Sequence, residues 1–410
     1  MSEKTKLSNP FKALKQKNFR YYWLGMCISL IGTWMQNIAQ PWLAYTLTKS
    51  PLLLSLIGTL QFTPVLIFSL FAGVFIDKIP KRTILIFTQS CSLIITLILA
   101  LLVWSGKIEY WHILVMATAL GVVNALDMPS RQAFISELVD KDNLMNAIAL
   151  NSMAFNIARI LGPAIAGIVM GYMGIAFCFF ANSISFGAVL LSLFFIKPIN
   201  AGNKPKKESK VLTEIADGLK FIYKNDVLLY TILVTAIVGT FAPNFNVLVP
   251  VFAKEVLNQN EAGFGILMSF MGFGSFIGAM FIASLSKSGP KKIVLFAFPL
   301  IVGAFLIIIG FTNVYILTGI ALAITGFFFI CFSSSANSIL QLNSSNEYRG
   351  RVMSVYTLVF AGSTPIGNLY AGIFADKFNA RIGFIACGAI ILILMLPLLL
   401  YRAKFKKAAL

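Results

Sequence analysis

Residues 52–104 read LLLSLIGTLQFTPVLIFSLFAGVFIDKIPKRTILIFTQSCSLIITLILALLVW. Two apolar runs, 52–77 and 83–104, flank a short turn in which Asp77, Lys78, Lys81 and Arg82 are crowded together. Crossing the hydrocarbon of a bilayer takes about 20 residues of helix, and each run is that long. The charged turn belongs in water, and only a helix satisfies the backbone of a run buried in lipid, so the stretch predicts a transmembrane helical hairpin.

Working outward with the same criteria predicts twelve spans. Six lie near 21–47, 52–77, 83–104, 111–130, 144–170 and 175–196, and six near 228–253, 262–285, 293–311, 314–340, 352–375 and 383–401. The 410 residues are 58% hydrophobic and 12% charged, with mean hydropathy +0.84, which excludes a soluble globular protein. The fold class is therefore an all-α membrane protein of two six-helix halves. The expected organisation is a basic N-tail (1–20), a first bundle (21–197), a linker with an in-plane helix (198–226), a second bundle (227–401) and a basic C-tail (402–410). A net charge of +18 would suggest nucleic acid in a soluble chain. Here, with both termini on one side, only Lys49, Lys107, Lys254, Lys377 and Arg381 of the 33 Lys and Arg fall on the other, and Arg159 lies within a span. The excess thus obeys the positive-inside rule, predicts cytoplasmic termini in a bacterial plasma membrane, and needs no nucleic-acid partner. No small-residue cleavage site follows the basic N-tail, so the first span is expected to be retained.

The halves repeat. Pro80, Lys81 and Arg82 after the second span match Pro290, Lys291 and Lys292 after the eighth, and Pro163 in the fifth matches Pro365 in the eleventh. Parallel repeats of this kind build one large class of secondary transporters. Gly73, Asp77, Lys78, Pro80, Lys81 and Arg82 resemble the Gly-x-x-x-Asp-Arg-x-Gly-Arg-Arg signature of the major facilitator superfamily, with Lys78 and Pro80 as departures. Gly162, Pro163 and Gly167 are similar to the glycine-proline element of its antiporter branch. The segments around Asp127–Arg131, Asn156–Pro163 and Arg349–Arg351 look like the bacterial group of enterobactin exporters and macrolide efflux proteins. That resemblance implies an exporter of amphipathic small molecules, with Gly73, Asp77, Lys81, Arg82, Asp127, Arg131, Gly162 and Pro163 in gating or coupling. Ala117 stands where the superfamily's proton-coupled drug exporters place an Arg, four residues before Gly121.

Polar residues inside the spans mark candidate contacts with substrate. Ser29, Thr33, Gln36 and Gln40 share one face of the first span, with Asn37 adjacent, and Ser152, Asn156 and Arg159 share one of the fifth. Asn124, Asn244, Asn337 and Asn368 stand in four other spans. Such groups turn towards protein or water, so they either line a cavity or tie helices together, an interaction worth about 0.6 kcal/mol on average. Arg159 costs about 2.5–3.5 kcal/mol to insert and is a functional candidate by default. Its structural alternative is a buried pair, for instance with Asp127. Asp127 has three readings: a local pair with Arg131 at i,i+4, part of a latch with Asp77 and Lys81, or a proton carrier.

One histidine, scattered cysteines and no phosphate loop leave neither a catalytic constellation nor a metal or cofactor site. The expectation is a monomeric secondary active exporter of drugs, macrolides or siderophores, working by alternating access and driven by protons, whose partners are its small-molecule substrate and membrane lipids. Alternatives are a lipid or lysolipid flippase on the same fold and, in another class, a membrane-embedded lipid-modifying enzyme.

Overall fold

A computed structural model describes residues 11–196, 211–284, 293–345 and 347–405; within these, the side chains of 69–78, 141, 211–215, 361 and 399–405 lie outside the description. A short 3-10 turn (Lys12–Lys15) leads into α1 (Lys17–Thr48), α2 (Pro51–Lys78), α3 (Lys81–Trp104), α4 (Tyr110–Leu138), α5 (Lys141–Met173) and α6 (Ile175–Phe195). After α7 (Val211–Tyr223) come α8 (Asp226–Phe241), α9 (Phe245–Glu255), α10 (Glu261–Ser284), α11 (Val294–Phe311), α12 (Tyr315–Leu342), α13 (Arg349–Lys377) and α14 (Ala380–Phe405). No strand occurs among the described residues.

The chain makes its reversals with local chemistry. Ser50 accepts from the Leu53 amide at 3.2 Å and precedes Pro51, whose missing N–H costs nothing in a first turn. Asn225 caps α8 through the amides of Val227 and Leu228. Gly174, at φ +87°, turns α5 directly into α6.

Among the described residues, eleven helical segments are long and apolar enough to cross a membrane, with α8 and α9 counted as one. The twelfth crossing is α1, which runs beside α5 from the Trp23 indole, bonded to the Leu150 carbonyl at 3.2 Å, to Trp34 packed on Gly162. The seventh span differs from the continuous helix expected over 228–253. It breaks between Phe241 and Phe245, because Pro243 cannot donate to the Gly239 carbonyl. The Asn244 side chain donates instead to the carbonyls of Thr240 (3.0 Å) and Phe241 (3.2 Å).

Helices α1–α6 form one bundle and α8–α14 the other. In the first, α1 packs on α5 and α6, and α3 on α4 and α6; in the second, α10 packs on α12, and α14 on α11 and α13. The bundles meet along two seams, α5 against α10 and α2 against α13. Since α2 and α10 are the second spans of their halves, and α5 and α13 the fifth, the repeat exchanges one seam for the other. The amphipathic α7 packs on α13 and α8: Phe221 stacks on Tyr348 at 4.5 Å, and Asp217 pairs with Arg351 at 3.4 Å.

Candidate functional site

The membrane face that carries the starts of α1, α3 and α5 is called here the basic face, and the one at the α1–α2 turn the far face. Near the far face, the halves are bonded together. Asp376 of α13 accepts from the Ser50 hydroxyl at 2.6 Å and the Leu52 amide at 3.3 Å. Tyr45 donates to Glu255, and the Trp42 indole to Glu261 at 3.1 Å. Trp42 also stacks on Phe264 at 5.4 Å, beneath the Lys254 ammonium. Three carboxylates of the second half thus meet uncharged donors of the first.

Below this rim the seams depend on missing side chains. A Cβ on Gly265 would sit 2.6 Å from the Pro163 carbonyl oxygen and 2.7 Å from the Gly167 Cα, and one on Gly272 would sit 2.7 Å from the Arg159 carbonyl oxygen. On the other seam Asn368 lies over Gly58, the Thr59 hydroxyl donates to the Pro365 carbonyl at 3.3 Å, and Gly362 meets Leu66.

The same helix faces are uncovered towards the basic face. On α5, the stripe that is buried at Pro163, Ala166 and Met170 continues as Arg159, Ser152 and Ile148 to Met145, which is 80% exposed. On α13 the stripe that packs at Asn368, Gly372 and Asp376 continues as exposed Thr357 and Ser354. The two halves are therefore closed together at the far face and splayed at the basic face.

The predicted site residues distribute over three environments. Arg159, Asn156, Asn37, Asn124 and Asn337 are half-exposed. The Arg159 guanidinium bonds Asn156 Oδ1 at 2.9 Å, and its Nε is buried without a partner; no pair with Asp127 forms. Asn337 accepts from Gln341 at 2.6 Å on a strip of α12 that also holds Ser333, Ser334 and Ser338.

A second group lies inside the protein. Gln36 is buried, accepting from Thr96 at 3.3 Å and Asn182 at 2.5 Å and donating to Gln40 at 3.3 Å, so this pair ties α1 to α3 and α6 rather than facing an open space. Asn244 serves the α8–α9 break and Asn368 the α2–α13 seam. Gly162 gives room to Trp34, and Pro163 lies on the α5–α10 seam.

The third group clusters at the basic face. Asp127 is buried and accepts four hydrogen bonds: from Thr88 and Gln89 of α3, both at 2.7 Å, and from Arg131 Nε (3.0 Å) and Nη2 (2.7 Å). This fixes α3 on α4 within one half. Arg82 donates to the carbonyls of Leu193 and Phe194, capping α6. Lys81 is buried; the surroundings of Gly73 and the side chain of Asp77 lie outside the description, and with them the latch. His112 closes the first turn of α4 with Glu109 and stacks on Trp111 at 3.8 Å.

Removing one member of a buried ion pair costs about 3–5 kcal/mol, because the partner charge is stranded. Asp127→Asn should therefore lower the thermal stability of purified protein by several degrees. An unchanged melting profile would show that the Asp127 cage does not support the bundle.

Sequence reasoning missed the far-face rim and the α3 residues that hold Asp127. Glu255, Glu261 and Asp376 were readable as acids at span ends on one side of the second half, but nothing in the sequence assigns them partners across the molecule.

The profile of the family described as transmembrane secretion effector matches residues 8–409. The Staphyloferrin A transporter of Staphylococcus aureus is 27% identical over 363 residues, 88% of this chain and 90% of that one. The multidrug efflux pump Tap of Mycolicibacterium fortuitum is 24% identical over 377 residues, 90% of each. A bacterial homolog of the human lysosomal transporter Spinster, solved in an inward-facing, unoccupied conformation, superposes with a TM-score of 0.75 at 12% identity, covering 97% of this chain and 98% of that one; at that identity the likeness is of fold.

Proposed function

The chain belongs to the transmembrane secretion effector family of the major facilitator superfamily, and is thus a multi-pass membrane transporter and not an enzyme; from that premise we propose that it is a secondary active exporter of amphipathic drug-, macrolide- or siderophore-like molecules, working by alternating access. The carrying observation is that the stripes closing the far face are the stripes left open at the basic face. A bistable pair of halves that rocks about such seams presents a midplane site to each side in turn. With the basic face cytoplasmic by charge, the described state is the loading state of an exporter. The relative named as a multidrug efflux pump supports this direction, and neither named relative supports the flippase reading.

The substrate site is assigned to Arg159 and Asn156 of α5 with Asn37, Asn124 and Asn337 around it, apolar surface supplying most of the contact and a few amides the orientation. Proton drive is assigned to Glu255, Glu261 and Asp376. Their bonds between halves exist only while the far face is closed, so protonation there favours one state over the other. Asp127 bonds only within one half and lacks that leverage.

Uptake into inverted vesicles, of a panel of macrolides, siderophores and cationic drugs with and without an uncoupler, tests this function; no uncoupler-sensitive uptake of any member contradicts it. In a background free of native thiols, Asn37→Cys should react with an impermeant reagent from the basic side and be protected by substrate, whereas Gln36→Cys, one residue round the helix, should not react. Equal reactivity of the two would remove α1 from the cavity wall.

A further inference from the structure

Where α1 meets α6 at the basic face, the surface opens into a groove of about 580 Å³ lined by Lys17, Asn18, Tyr21, Leu24, Leu191 and Phe195. The groove lies outside the cavity between the halves, because α6 packs on α1, α3 and α5 and presents its remaining side outward. Its walls are apolar and open: Leu24 is 50% exposed, Leu191 62% and Phe195 75%. Its mouth is cationic. The Lys17 ammonium and the Arg20 guanidinium both lie 5.9 Å from the centre of the Tyr21 ring. No carboxylate among the described residues pairs with either, and exposed Lys12 and Lys15 precede them. Two cations gathered around one ring at the membrane surface, with no carboxylate beside them, form a patch that attracts an anionic headgroup.

We propose that this groove holds one anionic phospholipid, its headgroup phosphate between Lys17 and Arg20 and an acyl chain along Leu24, Leu191 and Phe195. The occupant follows from the two surfaces together. A basic mouth at headgroup level selects a phosphate, and an apolar trough running towards the bilayer interior selects a chain attached to it. A soluble anion would use only the mouth. The bound lipid fixes the outer side of α1, the helix whose inner side carries Asn37.

Native mass spectrometry of the detergent-purified full chain tests this, with phosphatidylglycerol, phosphatidylethanolamine of the same chains, and glycerol phosphate as probes. Phosphatidylglycerol should be retained in preference to phosphatidylethanolamine. Each basic residue near an anionic lipid contributes about a factor of five, so K17Q/R20Q should lower that preference roughly 25-fold. Leu191→Trp, which fills the trough and keeps the charges, should lower retention of phosphatidylglycerol, and excess glycerol phosphate should not compete. Both substitutions fall on exposed positions, and a monodisperse elution profile checks their folding. Equal retention of the two lipids, or a preference unchanged in K17Q/R20Q, would overturn the proposal; competition by glycerol phosphate at lipid-like concentrations would reduce the site to one for simple anions.

Discussion

Arg159→Ala should abolish export of anionic or catechol-bearing substrates while the protein still inserts and purifies as a single species. The guanidinium has one hydrogen bond, to Asn156 three residues back, and an Nε buried with no partner, so the fold loses little when it goes. A buried charge-assisted contact to a ligand is worth about 2–5 kcal/mol when truncated, which sets the loss at roughly thirty-fold or more. Arg159→Lys should recover little, because a compact ammonium cannot reproduce a planar fork. Uptake into inverted vesicles reads the result. Wild-type rates in the alanine variant would remove Arg159 from the substrate site, and a collapse in stability without a change in rate would make it structural.

The second large effect comes from locking the far face. Ser50 and Asp376 touch at 2.6 Å across the two halves, so cysteines at both positions, in a background without the five native thiols, should be joined by oxidation or by a short bifunctional thiol reagent. A covalent tie there holds the loading state and forbids the release state. Transport should fall to background on oxidation and return on adding reductant, while substrate binding from the basic side persists. Because Asp376→Cys also removes a carboxylate assigned to proton drive, each variant is compared with itself before oxidation, and neither single-cysteine control should respond to oxidant or reductant. Full transport in the tied protein would mean that the α2–α13 rim does not part during the cycle.

Much of the fold was legible because lipid imposes a simple rule on sequence: apolar runs of fixed length, charge at their ends, and Lys and Arg on one side. That rule placed the helices from α2 to α6 and from α10 to α14, and the offset of Pro163 and Pro365 placed the halves. It placed the seventh span, Asp226–Glu255, but not the break within it, where Pro243 removes a donor and Asn244 replaces it. The candidate site was only partly legible, for a geometric reason. A helical stripe shows which residues share a face, not what that face meets. Gln36 and Asn37 are neighbours in sequence, yet Gln36 is held by Asn182 and Thr96 inside the first half and Asn37 is half-open. Glycines carried a similar ambiguity: Gly265 and Gly272 lie on the seam between halves, whereas Gly274 on the same helix packs against α12. Partners far apart in sequence, such as Tyr45 with Glu255 and Ser50 with Asp376, have no local pattern at all.

If the halves exchange a closed far face for a closed basic face, two distances must change together. Spin labels at Lys49 and Asn258, exposed at the far face on opposite halves, report one gap. Labels at Met145 and Leu342, exposed towards the basic face on opposite halves, report the other. In reconstituted protein, substrate with an opposing proton gradient should lengthen the first distance and shorten the second in the same fraction of molecules. Both distributions staying fixed under transport conditions, or both widening together, would contradict alternating access for this protein.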